Sequence, residues 1–525
     1  MLATTHRTSD QPHLGTAAMR DGILQGRRLV LASNRGPVEF QWAKRGRLEA
    51  QRGSGGVVTA LSALSRHLQL SWVASALTEG DRAVGLGHLV ERLPAAGDGS
   101  DVRLRFVVHP PEQYELYYNV FANPILWFVQ HGLQALLPHS DFPSLTTLAW
   151  SQGYRPVNRA FAEAVLEELA RDDVAPVAML HDYQLYLAAD YIRQRAPAVL
   201  LQQFIHIPWP EPAAWEALPA AIVRAICRGL LANDIVGFQT KRDGRNFLAT
   251  CRELLPEARV DGGGGVVGYA GRRTYVRAYP ISVDVAALRK TAASAPVAEY
   301  ERRLRPLCGE QTIVRVDRLD PSKNVLSGFR AYARLLEARP DLHGRVKFLA
   351  FLVPSRTGIP QYKQHAQEVF AEVEAINVAY SRDGWRPIEV FYENNYQQAI
   401  AGMRLYDVLM VNSALDGMNL VSKEGPIVNT RDGVLVLSRG AGSYEELAPG
   451  ALGVEPYDVE GTARALARAL AMPAGERRAR SLALRRSIED NDVADWLQAQ
   501  LADLSLVAKA GAVAAGLEAA LARSA

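Results

Sequence analysis

Two doubly wound α/β domains in tandem, facing each other across a ligand cleft, are the architecture this sequence predicts, and three observations carry the expectation. The chain has 525 residues. That exceeds the size at which a single core keeps growing and suits two domains of roughly 200 to 270 residues. Short apolar runs alternate with stretches whose apolar residues recur every three or four positions, the pattern of a parallel sheet covered by helices on both faces. The alternation breaks once, at a hairpin-like stretch over 266–279 that ends on Pro280, and then restarts.

Taken in order, residues 1–27 mix Thr, Ser, Asp, Gln and Gly and read as a mobile tail. In a first domain, 28–280, strands are expected at 29–33, 72–76, 104–109, 177–181, 200–207 and 235–238, with amphipathic helices at 57–68, 157–170 and 213–231. The run Gly262-Gly263-Gly264-Gly265 lies between a helix and the hairpin, and reads as a flexible loop. In a second domain, 281–490, strands are expected at 312–316, 346–351, 388–392, 408–411 and 434–437. Residues 491–525 are Ala/Leu-rich and read as helices returning toward the first domain. Tandem doubly wound domains place the ligand between the carboxyl ends of their strands.

Composition narrows the function. Apolar residues make up 48% and charged residues 22%, which suits a globular enzyme. A net charge of +3, from 59 basic and 56 acidic residues, gives no global field for nucleic acid or an anionic membrane, so an anionic ligand must be held locally. Cys227, Cys251 and Cys308 are too far apart for a CxxC pair and read as reduced thiols of a cytoplasmic protein. No apolar run approaches a spanning helix, and no signal-peptide core is present at the N-terminus. The partners expected are small molecules, with homo-oligomerisation left open.

Three segments carry the chemistry. Arg52-Gly53-Ser54-Gly55-Gly56 precedes the first helix, where glycines let backbone approach a phosphate and the helix start supplies free N–H groups; a plain helix-entry loop explains it equally well. Arg318-Leu319-Asp320-Pro321-Ser322-Lys323 follows a strand and sets two cations where they can converge on a diphosphate, the competing reading being a surface loop in which Arg318 pairs with Asp320. Asp416-Gly417-Met418-Asn419-Leu420-Val421-Ser422-Lys423-Glu424 runs from a strand end into a helix; its first-turn N–H groups face an anion, and Glu424 can hold a ribose diol, with a simple acidic helix cap as the alternative for Asp416. His206 and His181-Asp182-Tyr183 also end strands of the first domain. Asp490 and Asp492 resemble a metal-binding DxD but read as the polar start of the last helix.

Together with Arg35, Tyr117-Tyr118-Asn119, Trp127 and Val353-Pro354-Ser355-Arg356, these segments stand in the order and spacing of the trehalose-6-phosphate synthases, and the chain resembles that family over about 28–505. The resemblance implies a GT-B type fold of two facing Rossmann-like domains. It implies glucosyl transfer from a nucleoside-diphosphate-glucose to glucose 6-phosphate, with retention of configuration, no metal and no other cofactor. By position, the donor diphosphate would meet Arg318, Lys323, Gly56 and the backbone of Asn419, Leu420 and Val421, while Glu424 takes the ribose. Asp416 and His206 would take the glucose hydroxyls. Arg35, Tyr118 and Arg356 would hold the acceptor phosphate, with Trp127 and Asp182 against its ring.

The chain departs from the family at named positions. A Trp that follows the family's second strand and contacts the acceptor is Ser75 here, which suggests extra room or a water beside the acceptor ring. Pro321 and Asn324 replace a Tyr and a Gly of the arginine-lysine loop, Leu415 replaces an Arg, and Gly425 an aromatic residue. At Ser75 the chain resembles the related pseudo-glycosyltransferases that make validoxylamine phosphate, although those alter the Asp416-Gly417-Met418-Asn419 segment kept here, and glycerol 3-phosphate and cyclitol phosphates stay open as acceptors. The donor base, UDP, GDP or ADP, is open too. A paired-carboxylate glycosidase using Asp416 and Glu424 leaves Arg318 and Lys323 without a role. A non-catalytic sugar-phosphate regulator is the remaining alternative.

Overall fold

The computed structural model describes residues 29–43, 47–53, 61, 69–87, 93–94, 101–137, 142–171 and 177–524. The tail 1–27, the glycine turn containing Gly56 and nearly all of the helix expected at 57–68 lie outside these residues.

The first sheet is assembled from β1 (Leu29–Ala32), β4 (Leu70–Ser75), β5 (Leu93–Pro94), β6 (Asp101–Val107), β7 (Val177–His181), β8 (Leu200–Ile205), β9 (Ile235–Phe238), β10 (Arg259–Asp261), β11 (Val266–Tyr269) and β12 (Arg272–Ala278). Its order is β10-β11-β12-β9-β8-β7-β1-β4-β6-β5, and the central strands are parallel. Between β1 and β4 a two-stranded hairpin, β2 (Val38–Trp42) and β3 (Leu48–Arg52), stands apart from it. The second sheet holds β13 (Gln311–Arg318), β14 (Val346–Val353), β15 (Ile388–Tyr392), β16 (Val408–Val411), β17 (Val434–Ser438) and β18 (Leu452–Val454), in the order β15-β14-β13-β16-β17-β18 and all parallel.

The inner strands of both sheets are buried on both faces, which is why β1, β9, β16 and β17 read as unbroken apolar runs, while outer strands such as β6, β12 and β15 carry charged residues. On β1, Leu29 and Leu31 join a core with Trp72 and Met179. Val30 and Ala32 join the opposite core with Phe121 and Val165. On β14 the same alternation sends Phe348 and Leu352 to one side and Leu349 and Phe351 to the other.

The glycine run is a correction to the sequence reading. Arg259–Asp261 is a strand, so Gly262 to Gly265 form the tight turn of a β10–β11 hairpin, and Asp261 accepts from the N–H groups of Gly263 and Gly264 at 3.1 and 3.0 Å. The stretch expected as one helix over 213–231 is split into a short 3₁₀ turn, Pro212–Ala217, and a helix, Ala220–Leu230. Pro219 sits at the break.

The last helix, Val493–Ser524, starts beside the second half and packs on the first. Val493, Trp496, Leu497, Leu501 and Leu504 fill the same core as Leu29 and Trp72. Gln202 donates to Gln500 at 2.7 Å, and Tyr279 donates to Asp503 at 2.6 Å. At its start the Val493 N–H donates to the carbonyl of Val283 at 3.3 Å, so two passages of chain between the halves lie side by side. Asp492 accepts from Ala494 N–H at 2.7 Å and so acts as a helix-start residue, while Asp490 closes the preceding helix, Ala474–Glu489.

Candidate active site

Both sheets direct their carboxyl ends at one cleft. From the first come Asn34 and Arg35 after β1, Ser75 at the end of β4, His109 after β6, Asp182 after β7 and His206 after β8. From the second come Arg318 at the end of β13, Arg356 after β14 and Asp416 after β16.

Lys323 closes the 3₁₀ turn Pro321–Lys323, and its ammonium forms an ion pair with the Asp416 carboxylate. Burial pushes the Asp416 carboxyl up, but Lys323 and Asn419 outweigh it and hold its pKa below the ordinary value. Ser413 Oγ and Asn419 Nδ2 also donate to Asp416, at 3.2 and 3.1 Å. Asp416 is therefore not the cap of the following helix, Val421–Val428, whose cap position is Leu420. Beneath the turn, the fully buried Arg315 binds Asp317 at 2.8 Å and donates to the Lys323 carbonyl at 3.2 Å, in a space that a β-carbon on Gly328 would invade. Asn324 replaces a glycine without penalty to the turn: it holds φ at 54°, a region Asn tolerates, and exchanges 3.1 Å hydrogen bonds with Asn412.

Arg318 binds Asp320 at 2.6 Å, so the pairing expected for a plain surface loop is present. Asp320, however, is buried rather than at the surface, and its other oxygen lies 3.6 Å from Arg356. Burial alone would raise its carboxyl; Arg318 and Arg356 bring it down to about 2. Both guanidiniums also overlie Trp127, Arg318 at 5.6 Å and Arg356 at 4.0 Å from the ring centroid. Arg356 donates to Tyr362 at 2.7 Å and to Tyr183, of the first half, at 3.3 Å.

On the first half, Tyr118 lies on a wide-turned helical stretch, Glu115–Leu126, and hydrogen-bonds Arg35, which also pairs with Glu39 at 3.4 Å. Burial would raise the Tyr118 phenol, but Arg356 and Arg35 outweigh it and hold it below its usual value. The residue thus senses cations from both halves. Asp182 has φ of 73°, and its side chain accepts the His206 N–H at 3.2 Å. Burial pushes its carboxyl up to about 6.

His206 contacts His181 at 3.3 Å and Gln239 at 3.4 Å, so both ring nitrogens have protein neighbours. Burial, then His181, keeps its pKa well below the ordinary value, so the ring is neutral. Glu424, in the first turn of its helix, accepts the Tyr396 hydroxyl at 3.1 Å. Lys423 points away, bound to Glu446 at 2.7 Å and to the Ile281 carbonyl at 2.9 Å.

Ser75 opens no space. It is 1% exposed and donates to Asn34 at 3.0 Å, with His109 Nε2 at 3.4 Å. His131, which sequence reasoning passed over, stacks on Trp127 at 3.9 Å, and burial lowers its pKa to about 3. Asp416 and Lys323 are close enough to influence it.

Two facing doubly wound halves, with two guanidiniums of the second over one aromatic ring of the first, define a GT-B type glycosyltransferase. The model of glycosyltransferase family 20 matches residues 27–506, and the chain belongs to that family. It is 34% identical over 486 residues, 89% of its length, to the bifunctional trehalose-6-phosphate synthase/phosphatase of Thermoproteus tenax, of which it spans 62%. It is 29% identical, over 92% of its own length and 95% of the other's, to the validamine 7-phosphate valienyltransferase of Streptomyces hygroscopicus subsp. jinggangensis. The crystal structure of a UDP-forming α,α-trehalose-phosphate synthase from Burkholderia xenovorans in complex with glucose-6-phosphate superposes with a TM-score of 0.77 at 28% identity, covering 91% of this chain and 99% of that one.

Proposed function

We propose that the protein transfers glucose from a nucleoside-diphosphate-glucose to glucose 6-phosphate, with retention of configuration and without a metal, giving trehalose 6-phosphate. The observation that carries this reading is the arrangement of Arg318, Arg356 and Trp127, in which two cations of the second half lie over one ring of the first. A dianionic donor and a phosphorylated acceptor both need such cations, and a cleft between two halves can bring the substrates together.

In this reading Arg318, Lys323, Gly56 and the amides of Asn419, Leu420 and Val421 receive the donor diphosphate, and Glu424 exchanges Tyr396 for the ribose hydroxyls. At the start of this helix Asn419 Oδ1 takes the Ser422 N–H at 3.1 Å and the Leu420 carbonyl takes those of Lys423 and Glu424 at 2.9 and 2.7 Å, which leaves the amides of Asn419, Leu420 and Val421 to an anion. Lys323 and Asp416 then separate: the ammonium turns to the leaving phosphate and the carboxylate to a glucose hydroxyl. His206 reaches a glucose hydroxyl by giving up one of its two long contacts. Arg35, Tyr118 and Arg356 hold the acceptor phosphate, and Trp127 and Asp182 border its ring. Departure of the diphosphate on the face that the acceptor hydroxyl attacks lets a phosphate oxygen take the acceptor's proton, so the protein supplies cations, orientation and exclusion of water.

We also take the first domain to end near residue 280 and the second near 490. Among the described residues no helix is long and apolar enough to cross a membrane.

The test is a panel of UDP-, GDP- and ADP-glucose against glucose 6-phosphate, glycerol 3-phosphate, a cyclitol phosphate and free glucose, read by product mass. A trehalose 6-phosphate mass with chelator present supports the reading. Product from glycerol 3-phosphate or a cyclitol phosphate alone replaces the acceptor. No product from any pair leaves only a binding role.

A further inference from the structure

Behind Tyr118 stands a set of side chains to which neither the reaction nor the family resemblance gives a role. Tyr114 lies one helical turn earlier, so both rings project from one face. They stack at 5.5 Å and 13°. On the other side of the set, His109 stacks on Tyr114 at 5.8 Å and 21°. The Tyr114 hydroxyl accepts from Asn34 Nδ2 at 3.1 Å. The amide oxygen of Asn34 takes the Ser75 hydroxyl at 3.0 Å and the Tyr117 hydroxyl at 3.3 Å. Ser75 also lies 3.4 Å from His109, so Ser75, Asn34, Tyr114 and His109 form a closed ring of contacts. It spans the carboxyl ends of β1, β4 and β6.

We propose that Tyr114, fixed by the Asn34–Ser75 pair, is a positioning residue for the sugar-phosphate site, setting the Tyr118 hydroxyl between Arg35 and Arg356. Tyr118 lies on a wide-turned segment interrupted by Pro124, whose own backbone does not fix a side chain as a regular α-helix does. The fixing comes from the stack and from Asn34. Asn34 is itself 5% exposed and Ser75 1%, so both act from below the site and do not contact the acceptor. His109 is held neutral, its pKa lowered to about 4 by burial and then by Arg82, so the stack adds no charge to compete for the phosphate. The hydroxyl of Tyr118 is left to bind an anion jointly with the two guanidiniums.

This inference rests on the acceptor reading above, and its test uses binding so that the two can fail separately. Glucose 6-phosphate and UDP are titrated calorimetrically into the full chain and into Tyr114→Leu, Tyr114→Phe, Ser75→Ala and the Tyr114→Phe/Ser75→Ala double variant. Tyr114→Leu removes the stack and should weaken glucose 6-phosphate about tenfold, with UDP unchanged. Tyr114→Phe keeps the stack but loses Asn34, and a weakening of about threefold is expected. The double variant should fall short of the product of its singles, because both cut the same anchor.

Unchanged glucose 6-phosphate affinity, or equal losses for UDP, would overturn the proposal. If Tyr114→Leu does not fold, the Tyr114→Phe/Ser75→Ala cycle decides alone, and additive effects there overturn it. A wild type that binds glucose 6-phosphate in this pattern but transfers no glucose removes the proposed reaction and leaves the role of Tyr114 standing. A wild type that binds no glucose 6-phosphate removes both.

Discussion

The α-carbon of Gly417 faces the carbonyl oxygen of His206 so closely that a β-carbon on Gly417 would lie 2.0 Å from it. His206 belongs to the first half and Gly417 to the second, so the two meet by backbone. A β-carbon on Gly442 would in turn lie 1.8 Å from the Gly417 carbonyl, so Gly417 has no room to retreat. Gly417→Ala should therefore prop the cleft open without unfolding either sheet. Turnover is expected to fall about a hundredfold, the order of loss from a misplacement of about 1 Å. Small-angle scattering with both substrates would show a larger radius of gyration than wild type, and a compact, active Gly417→Ala enzyme would refute it.

Lys323→Ala and Arg318→Ala should each cost turnover far more than stability. A contact to the leaving group is worth about 2 to 4 kcal/mol in the transition state. For Arg318 the folded state loses little, since the side chain is 47% exposed and Asp320 keeps Arg356 nearby. For Lys323 the Asp416 carboxyl loses its largest counter-charge and its pKa should rise. Parallel kcat and melting measurements check this, and near-normal turnover in either variant would reduce that cation to a surface feature.

Arg356→Ala should raise the acceptor KM strongly and leave donor affinity nearly intact. The guanidinium is shared by Trp127, Tyr183, Tyr362 and Asp320, so its removal also uncouples the two halves at this point. Steady-state kinetics with each substrate varied in turn separates the effects, and a loss confined to the donor would reassign the residue.

His131 sets a pH dependence with a defined sign. Its folded pKa is about 3 against an ordinary 6.5, so below 6.5 the unfolded chain takes up a proton that the folded chain refuses. Stability from the neutral imidazole is complete above pH 6.5 and is lost as pH falls toward 3. Asp182 and Asp243, both raised to about 6, act in the opposite sense below that pH, so the comparison needed is wild type against His131→Asn. The stability gap between them should shrink by about 1.4 kcal/mol per unit as pH falls below 6.5. Urea midpoints from pH 7 to 5 measure it, and a constant gap would mean that His131 is charged or exposed.

What the sequence made legible follows from where its information is local. Strands β7, β9, β15 and β16 fall at the expected bounds: β7, β9 and β16 are buried throughout and marked by their own composition, while the half-buried edge strand β15 is marked by its β-branched and aromatic residues. β18, three residues long, and the β2–β3 hairpin carry too little periodicity to register. Arg318 and Asp320 are two residues apart at a strand end, a spacing that allowed their pairing to be foreseen. Ser75 with Asn34, Arg315 with Gly328, and His131 with Trp127 depend on register between strands, on a helix crossing a sheet, or on a ring stack. A substituted position such as Ser75 reads locally as a missing wall, whereas the structure shows its hydroxyl bound to Asn34.

The chain passes between the two halves twice, and the Val493 N–H bound to the Val283 carbonyl at 3.3 Å keeps those passages adjacent. A single tether would leave the halves free to swing, twist and slide. Two tethers pinned together behave like a door hinge and leave mainly rotation about one line. The number of wrong poses that the cleft must search before Arg356 reaches Trp127 is cut accordingly, and the entropy of docking the halves is met largely at folding rather than in each catalytic cycle.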